Sequence, residues 1–236
     1  MGILNWFAEA GAKFSVAFLE NDRYIAYLKG FGTTLYVSFF AVLVGVVIGL
    51  VLAVVKYMAV RKKSFRPLGW IANIYITIIR GTPVYVQMMI IYYIIFNVRG
   101  FPAFLSGIIC FGINSSAYVA EIIRAGIEAV DRGQAEAGRS LGLSEMQTMK
   151  SIIMPQAVKN ILPALGNEFI VLIKETAIIG GIAVLDVTKA AMNVGAKTYD
   201  YLTPLLIAAF MYLIVVILLT KLLSMFERRL AKSDRR

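Results

Sequence analysis

Several polar side chains lie inside apolar stretches of this chain, where ionisable groups are costly and generally face a cavity or a partner. Arg80 directly precedes Gly81-Thr82-Pro83, and Gln87 follows seven residues after Arg80, which is one face of an uninterrupted helix. Asn167 and Glu168 are adjacent in a later apolar stretch. A guanidinium and a carboxylate can bind the opposite charges of a zwitterionic ligand. Alternatively, Arg80 and a glutamate pair internally and fix helix packing.

Other chemistries are excluded by residue type. The chain has no histidine, which rules out His-based metal sites and Ser-His-Asp or Cys-His catalysis. Its one cysteine, Cys110, cannot form an intrachain disulfide and is expected to be a small buried residue. The nearest approach to a phosphate-binding loop, at 195–198, lacks the glycine directly before its lysine. We therefore expect no metal or cofactor in this chain, and any ATP with its magnesium would be bound by another polypeptide.

The elements that must position these side chains are membrane-spanning helices. Of 236 residues, 59% are hydrophobic and only 16% are charged, against about a quarter in soluble domains. The mean hydropathy is +0.76. Because a spanning helix needs roughly 20 apolar residues, five or six spans fit. The net charge of +10 does not indicate nucleic-acid binding, since the basic residues flank apolar segments.

We predict an all-α integral membrane protein with about five transmembrane helices. The predicted spans are 31–55, 67–96, 103–123, 161–184 and 204–223. The first contains Gly45-Val-Val-Ile-Gly49, a pattern that permits close helix approach, and the second is interrupted at 81–83. Residues 1–29 are predicted to form an interfacial amphipathic segment, 30–224 the transmembrane domain, and 225–236 a basic tail. A loop at 97–102 and a polar connection at 186–203, with a short helix, complete the chain.

The distribution of lysine and arginine predicts the orientation of these spans. Five spans place the termini on opposite sides of the membrane. Sixteen basic residues fall on the side of the long polar loop and the C-terminus, and six fall on the other side. By the positive-inside rule, the N-terminus is outside and the C-terminus is cytoplasmic.

The longest polar passage, 117–163, separates two apolar stretches and must meet something soluble. Within it, 134–150 is predicted to form two short helices hinged at Gly142, with Ser144 as the N-cap of the second. Apolar residues then recur at spacings of three and four: Met146, Met149, Ile153 and Met154. Flexible methionines suit docking against another protein, but the same stripe is equally compatible with packing on the chain's own spans.

This loop resembles that of permease subunits of ATP-binding-cassette importers, in the branch that transports amino acids. The family's loop reads like G-Q-x-E-A-A-x-x-L-G-L-S-x-x-Q-x-x-x-x-I-x-L-P-Q-A. The matching residues here are Gly133, Gln134, Glu136, Ala137, Leu141, Gly142, Leu143, Ser144, Gln147, Ile152, Pro155, Gln156 and Ala157. Gly138 replaces the second alanine and Met154 the leucine. Further similarity, including Arg80-Gly81-Thr82-Pro83, extends over most of residues 30–223.

The resemblance implies a type I importer permease fold in the plasma membrane of a prokaryote. It implies that the loop at about 124–160 holds a coupling helix that seats in a separate ATPase subunit. The coupling residues expected on that basis are Glu136, Ala137, Gly142, Leu143, Ser144, Met146, Met149 and Pro155. The expected partners are two ATPase subunits, a second permease copy that is identical or related, and an external solute-binding protein.

The resemblance also implies a ligand site midway across the membrane, for a polar or basic amino acid. Candidate contacts are Asn167, Glu168, Gln87, Arg80, Tyr92 and Thr176. The alternatives are an importer of the same family for an opine or a dipeptide, and a transporter that works without ATP. The second would predict inverted repeats, which the sequence does not display. A membrane enzyme is disfavoured by the absence of histidine and the scattered carboxylates.

Overall fold

The computed structural model describes the backbone of residues 2–96 and 100–233 and the side chains of 7–96 and 100–230. Residues 97–99 of the predicted loop, the side chains of Ile3 and Leu4, and Arg235 and Arg236 of the basic tail therefore lie outside the described residues. Every regular element within the described ranges is helical. The α-helices are α1 Gly2–Phe14, α2 Arg23–Arg61, α3 Arg66–Gly81, α4 Val84–Ile90, α5 Ala103–Glu128, α6 Arg132–Ser140, α7 Glu145–Thr148, α8 Met154–Glu175, α9 Val187–Thr198 and α10 Leu202–Ser233.

The N-terminal helix α1 is joined to α2 through a tight corner. A π-helical turn, Ser15–Leu19, and a 3-10 turn, Glu20–Asp22, connect the two. Asn21 and Asp22 adopt left-handed conformations with φ of 52° and 54°, which asparagine and aspartate tolerate better than most residues. The following helix α2 runs for 39 residues, so Lys56 and Arg61 belong to the helix rather than to the loop after it.

The centre of the fold is the packing of α2 against α5. A Cβ added at Gly45 would lie 2.9 Å from the Ser115 side chain, and one at Gly49 would lie 2.7 Å from Val119. From the opposite side, a Cβ at Gly112 would lie 2.6 Å from Val44. Only glycine permits this approach, so the prediction that the Gly45 to Gly49 pattern forms a packing face is confirmed.

The predicted second span is broken where proline interrupts it. Helix α3 ends at Gly81, and α4 starts at Val84 and continues as a π-helical turn, Ile91–Ile95. The two parts are bent by 108°. Proline cannot donate the backbone hydrogen bond that would continue α3, and the Thr82 backbone is extended. The break turns the chain back along α5.

Helix α8 contains Pro163 and ends in a 3-10 turn, Thr176–Ile182. Asp186 then caps α9 by accepting hydrogen bonds from the backbone amides of Thr188 (3.0 Å) and Lys189 (2.9 Å). This helix is the short one expected between 186 and 203. In the turn that follows, the Thr203 hydroxyl and the amides of Thr203 and Leu202 donate to Asp200, which holds the pKa of that carboxyl below its ordinary value.

Three helical segments among the described residues are long and apolar enough to cross a membrane, namely Phe7–Arg61, Ala103–Glu128 and Leu202–Leu230. The bent pair Lys63–Gly81 and Val84–Ile95 adds a fourth if it counts as one span. Helix α8 is not among them, because its 22 residues include Lys159, Glu168, Lys174 and Glu175. A fifth span in this region stays a prediction.

Candidate functional site

The helix break after Arg80 is held by the side chain of Gln87. Its amide nitrogen lies within hydrogen-bonding distance of three oxygens, which share its two hydrogens: the Ile79 carbonyl (2.8 Å), the Thr82 carbonyl (3.2 Å) and the Thr82 hydroxyl (2.7 Å). Its amide oxygen accepts from Asn114 of α5 at 2.9 Å. The carbonyls of Ile79 and Thr82 at the break thereby receive hydrogen bonds, as buried backbone groups require. Gln87 thus fixes the break to α5, and its role as a ligand contact stays a prediction.

Arg80 lies apart from Gln87, because the bend interrupts the face that their spacing predicted. Its guanidinium is 4.0 Å from the Glu121 carboxylate of α5 and lies over the Tyr118 ring, 5.3 Å from the ring centre. About 45% of the side chain is still exposed. The internal Arg–Glu pairing weighed from the sequence is therefore observed with Glu121, and the role of Arg80 as a ligand contact stays a prediction.

Glu168 is a carboxylate buried between α8 and α5. It is 8% exposed, and its Oε1 accepts a hydrogen bond from the Ser115 hydroxyl at 2.8 Å. Asn167 is exposed instead, because consecutive residues on a helix point about 100° apart. The structure therefore brings Glu168 together with Ser115, and it places Asn167 on a separate, open face of the same helix.

The remaining two candidate contacts lie in packed surroundings. Thr176 is fully buried; its hydroxyl donates to the Ile173 carbonyl (3.0 Å) and lies 3.3 Å from the Ser38 hydroxyl of α2. Tyr92 is partly buried against the core and meets Tyr93 edge to face, with ring centres 4.9 Å apart. In this arrangement both side chains support helix packing. A ligand would need a change in that packing to reach Thr176.

The polar loop between α5 and α8 folds as the sequence predicted. Helices α6 and α7 meet at Gly142, whose φ of +78° is the left-handed conformation that glycine adopts without strain. Ser144 caps α7 in a reciprocal capping box: its hydroxyl accepts from the Gln147 amide (3.3 Å), and the Gln147 side chain accepts from the Ser144 amide (2.8 Å). Asp131 is the N-cap of α6, and its carboxylate accepts a hydrogen bond from the Gly133 amide. Both helices therefore start at fixed positions.

The predicted coupling residues divide into an exposed set and a packed set. Glu136, Ala137, Ser144 and Pro155 are exposed, and Leu143 is partly buried. Met146 is 70% exposed, and the neighbouring Leu141, which was not among the predicted coupling residues, is 80% exposed. Met149, in contrast, packs on a core cluster that contains Ile153. The residues of the methionine stripe therefore differ in their surroundings. Met149 packs on the chain's own helices, whereas Met146 is exposed and could contact another protein.

The packing around residue 138 favours glycine over the alanine that the family has at this position. It is buried, and a Cβ there would lie 2.7 Å from Cγ2 and 2.9 Å from Oγ1 of Thr148. The loop closes at this point because the Leu143 amide donates to the Gly138 carbonyl at 3.1 Å. A side chain at 138 would therefore displace Thr148, and glycine at 138 is compatible with the packing inside the loop.

Sequence reasoning did not identify the partners that α5 supplies. Asn114 binds Gln87, Ser115 binds Glu168, and Glu121 gathers cations from three helices. Asn114 and Ser115 lie in an apolar stretch seven and six residues before Glu121, which is the one signal that the sequence offered. No group of three or more histidine, cysteine, aspartate or glutamate side chains in the described part of the chain is placed to hold a metal ion.

Comparison with known proteins connects this arrangement to a transport family. A model of the family described as the binding-protein-dependent transport system inner membrane component matches residues 45–232. An arginine transport system permease protein, ArtQ, from Bacillus subtilis is 42% identical over 209 residues, which cover 88% of this chain and 93% of that protein. A putative glutamine transport system permease protein, GlnP, from Rickettsia prowazekii is 45% identical over 206 residues, covering 86% of this chain and 92% of that protein.

Solved structures agree with the sequence relatives. The crystal structure of an amino acid ABC transporter with histidines has a TM-score of 0.82 and 46% identity, covering 90% of this chain and 98% of that one. The methionine ABC transporter MetNI, in an inward-facing crystal form, has a TM-score of 0.75 at 18% identity, covering 89% of this chain and 99% of that one. The second likeness concerns the fold alone.

Proposed function

The chain belongs to the family of inner membrane components of binding-protein-dependent transport systems, and we propose that it is the permease of an importer for polar or basic amino acids. As a permease subunit it is a transport component and not an enzyme. The observation that carries the proposal is the loop around Gly142, in which two capped helices expose Leu141 and Met146. The names of the arginine and glutamine relatives favour a polar or basic amino acid.

We place the substrate near Glu168 on α8 and Arg80 at the end of α3. The Glu168 carboxylate is suited to an ammonium or guanidinium group, and the accessible part of Arg80 to a carboxylate. Asn167 offers an amide on the adjoining face. Gln87 and Thr176 also bond within the fold, and together with Tyr92 they complete the set of proposed contacts.

We propose five spans, with the N-terminus outside and the loop and C-terminus cytoplasmic in a prokaryotic plasma membrane. The supporting observation is the concentration of sixteen basic residues on the loop side. Single cysteines in place of Leu141 and Tyr199 test this orientation, since both side chains are exposed and the native Cys110 is buried. A membrane-impermeant maleimide added to intact cells should label the Tyr199 variant and not the Leu141 variant; the reverse pattern contradicts the orientation.

Two permease copies, identical or related, would form the path, with one ATPase subunit docked on each coupling loop and a solute-binding protein outside. ATP binding would draw the ATPase subunits together and move the loops, so that the path opens to each side in turn. In this chain, α6 and α7 receive the movement and the helices around Glu168 change access to the substrate. No covalent chemistry takes place in the permease.

The first experiment is affinity purification of the chain from its native membrane in mild detergent, with partners identified by mass spectrometry. A co-purifying P-loop ATPase is expected, and the number of distinct permease chains distinguishes a homodimer from a heterodimer. The recovered complex is then reconstituted with its solute-binding protein and assayed with radiolabelled arginine, lysine, histidine and glutamine. Absence of an ATPase contradicts the importer proposal, while uptake restricted to an opine or a dipeptide contradicts the substrate class.

A further inference from the structure

Glu121 on α5 is surrounded by cations from three different helices. Lys56 of α2 lies 2.8 Å from its Oε1, and Arg124 of α5 donates two hydrogen bonds to its Oε2, at 3.0 and 2.9 Å. Arg80 of α3 approaches Oε2 to 4.0 Å. Glu121 is only 19% exposed, so these interactions are less screened than pairs at the surface. One carboxylate therefore holds α2, α3 and α5 together.

The same group of charges reaches the cytoplasmic loop. Arg61, five residues after Lys56 on α2, forms an ion pair with Glu145, the first residue of α7. The Arg61 guanidinium also lies 3.6 Å from the centre of the Tyr57 ring, which limits the conformations open to its side chain. The end of α2 is thereby attached to the helix that follows the Gly142 hinge.

The charged side chains around Glu121 also lie next to the helix break between α3 and α4. Arg80 is the residue before Gly81, and the break itself is fixed to α5 through Gln87 and Asn114. Polar contacts thus run from α7 through α2 and Glu121 to the point where α3 stops. A cavity of about 290 Å³, lined in part by Lys56, Arg61 and Arg124, lies between α2 and α5 and leaves room for these side chains to change partners.

We propose that Glu121 is a positioning residue that couples movement of the cytoplasmic loop to the helix break. Displacement of α7 pulls on Arg61 and α2, which changes how Lys56 shares the Glu121 carboxylate with Arg80. Loss of the Glu121 charge would leave three cations close together and would remove the carboxylate that Lys56 shares with Arg80. The inference rests on the proposed importer function, and it assigns the residues through which the loop acts on the path.

The test compares Glu121→Gln with Glu128→Gln in the reconstituted importer. Glu128 is a matched control because it also binds Arg124, but it contacts neither Lys56 nor Arg80. The amino acid that the wild-type complex accumulates best is the probe. We expect Glu121→Gln to reduce uptake per ATP hydrolysed about tenfold while ATP hydrolysis is retained, whereas Glu128→Gln leaves the ratio near that of wild type. Equal ratios in the two variants overturn the proposal.

A charge exchange supplies a second, independent test. Arg61→Glu and Glu145→Arg each remove the ion pair, and the double variant restores it with the charges reversed. We expect each single variant to uncouple uptake from ATP hydrolysis and the double variant to recover coupling. If Glu121→Gln does not assemble, the Arg61/Glu145 charge exchange tests the proposal instead. A double variant that couples uptake to ATP hydrolysis no better than the single variants overturns the proposal. Failure of the wild-type complex to transport with ATP would instead contradict the importer function itself.

Discussion

At the residue scale, function depends on a few polar side chains whose neighbours differ sharply. Glu168 is buried with a hydroxyl partner, Arg80 is half accessible beside a carboxylate, and Gln87 is bonded on all sides. Because a buried charge is costly unless it is paired, the carboxylate with one neutral partner is the group best placed to receive a cation. We therefore propose Glu168 as the main contact for a cationic group of the substrate.

Glu168→Gln should weaken uptake of a cationic amino acid without loss of assembly. A hydrogen bond to a charged group contributes about 1.5–3 kcal/mol, so arginine uptake should fall about tenfold or more, while glutamine uptake changes little. Glu175→Gln is a matched control, since it removes a half-buried carboxylate two turns further along α8. Loss of the ATPase from the purified Glu168→Gln complex would identify Glu168 as a packing residue instead.

Gly138→Ala should destabilise the protein, although the resemblance has alanine at this position. Its Cβ would meet Thr148 at 2.7 Å, and overpacking of this kind costs about 1–3 kcal/mol. The Thr148 hydroxyl has no hydrogen-bond partner among the described residues, so its removal sacrifices no bond. Thermal unfolding in detergent should show a lower Tm for Gly138→Ala and recovery in Gly138→Ala/Thr148→Ala. A double variant as unstable as the single one would contradict this packing.

At the scale of elements, two interruptions of helical structure set the geometry. The Gly142 hinge separates α6 from α7, and the break after Gly81 bends α3 away from α4 by 108°. Each is stabilised by side chains that bond the exposed backbone, through the Ser144 capping box in one case and Gln87 in the other. These two interruptions therefore set the direction of α7 relative to α6 and of α4 relative to α3.

Gly142→Val should abolish uptake while the protein remains in the membrane. A Cβ at Gly142 would meet nothing within 4 Å, so the cost comes from the left-handed backbone, about 1–2 kcal/mol for an ordinary residue and more for a β-branched one. Gly100→Val is the control, because Gly100 also has a positive φ, +88°, and no neighbour within 4 Å of an added Cβ, but it lies outside the polar loop that contains Gly142. Membrane abundance and amino-acid uptake are measured for both. Normal transport by Gly142→Val would refute the coupling role of the hinge.

At the scale of the whole molecule, the chain is a helical bundle with a soluble-facing loop. Exposed apolar side chains are ordinary where lipid surrounds them, but Leu141 and Met146 lie on the polar loop, 80% and 70% exposed. Apolar residues that project from a rigid, capped helix pair are typical of an interface with another protein. We therefore propose this surface as the contact with the ATPase subunit.

Leu141→Asp and Met146→Asp should each reduce recovery of the ATPase with the purified permease. An unpaired carboxylate placed in an apolar interface loses its hydration, which weakens binding by several kcal/mol. Tyr199→Asp is the control, since Tyr199 is 94% exposed on the opposite predicted side of the membrane. The ratio of ATPase to permease after affinity purification is the measurement. Unchanged ratios for both loop variants would place the docking surface elsewhere.

The hinge at Gly142 and the N-cap at Ser144 could be predicted from the sequence because both features depend on neighbouring residues. Gly142, Ser144 and Gln147 lie within six positions, and the conformations that they favour are local. The partners of Arg80 and Glu168 could not be predicted in this way. Arg80 meets Glu121, 41 positions away, and Glu168 meets Ser115, 53 positions away, only because α3 and α8 both pack on α5.

The sequence by itself determined the membrane class, the helical period, the position of the polar loop and the two hinges. These features depend on composition and on the backbone preferences of short segments. Tertiary structure alone decided which polar groups are used within the fold and which remain available. The physical reason is that an ionisable side chain in a low-dielectric interior takes its role from the nearest opposite charge or hydrogen-bond partner. That partner is chosen by helix packing over tens of residues, as with the three cations around Glu121.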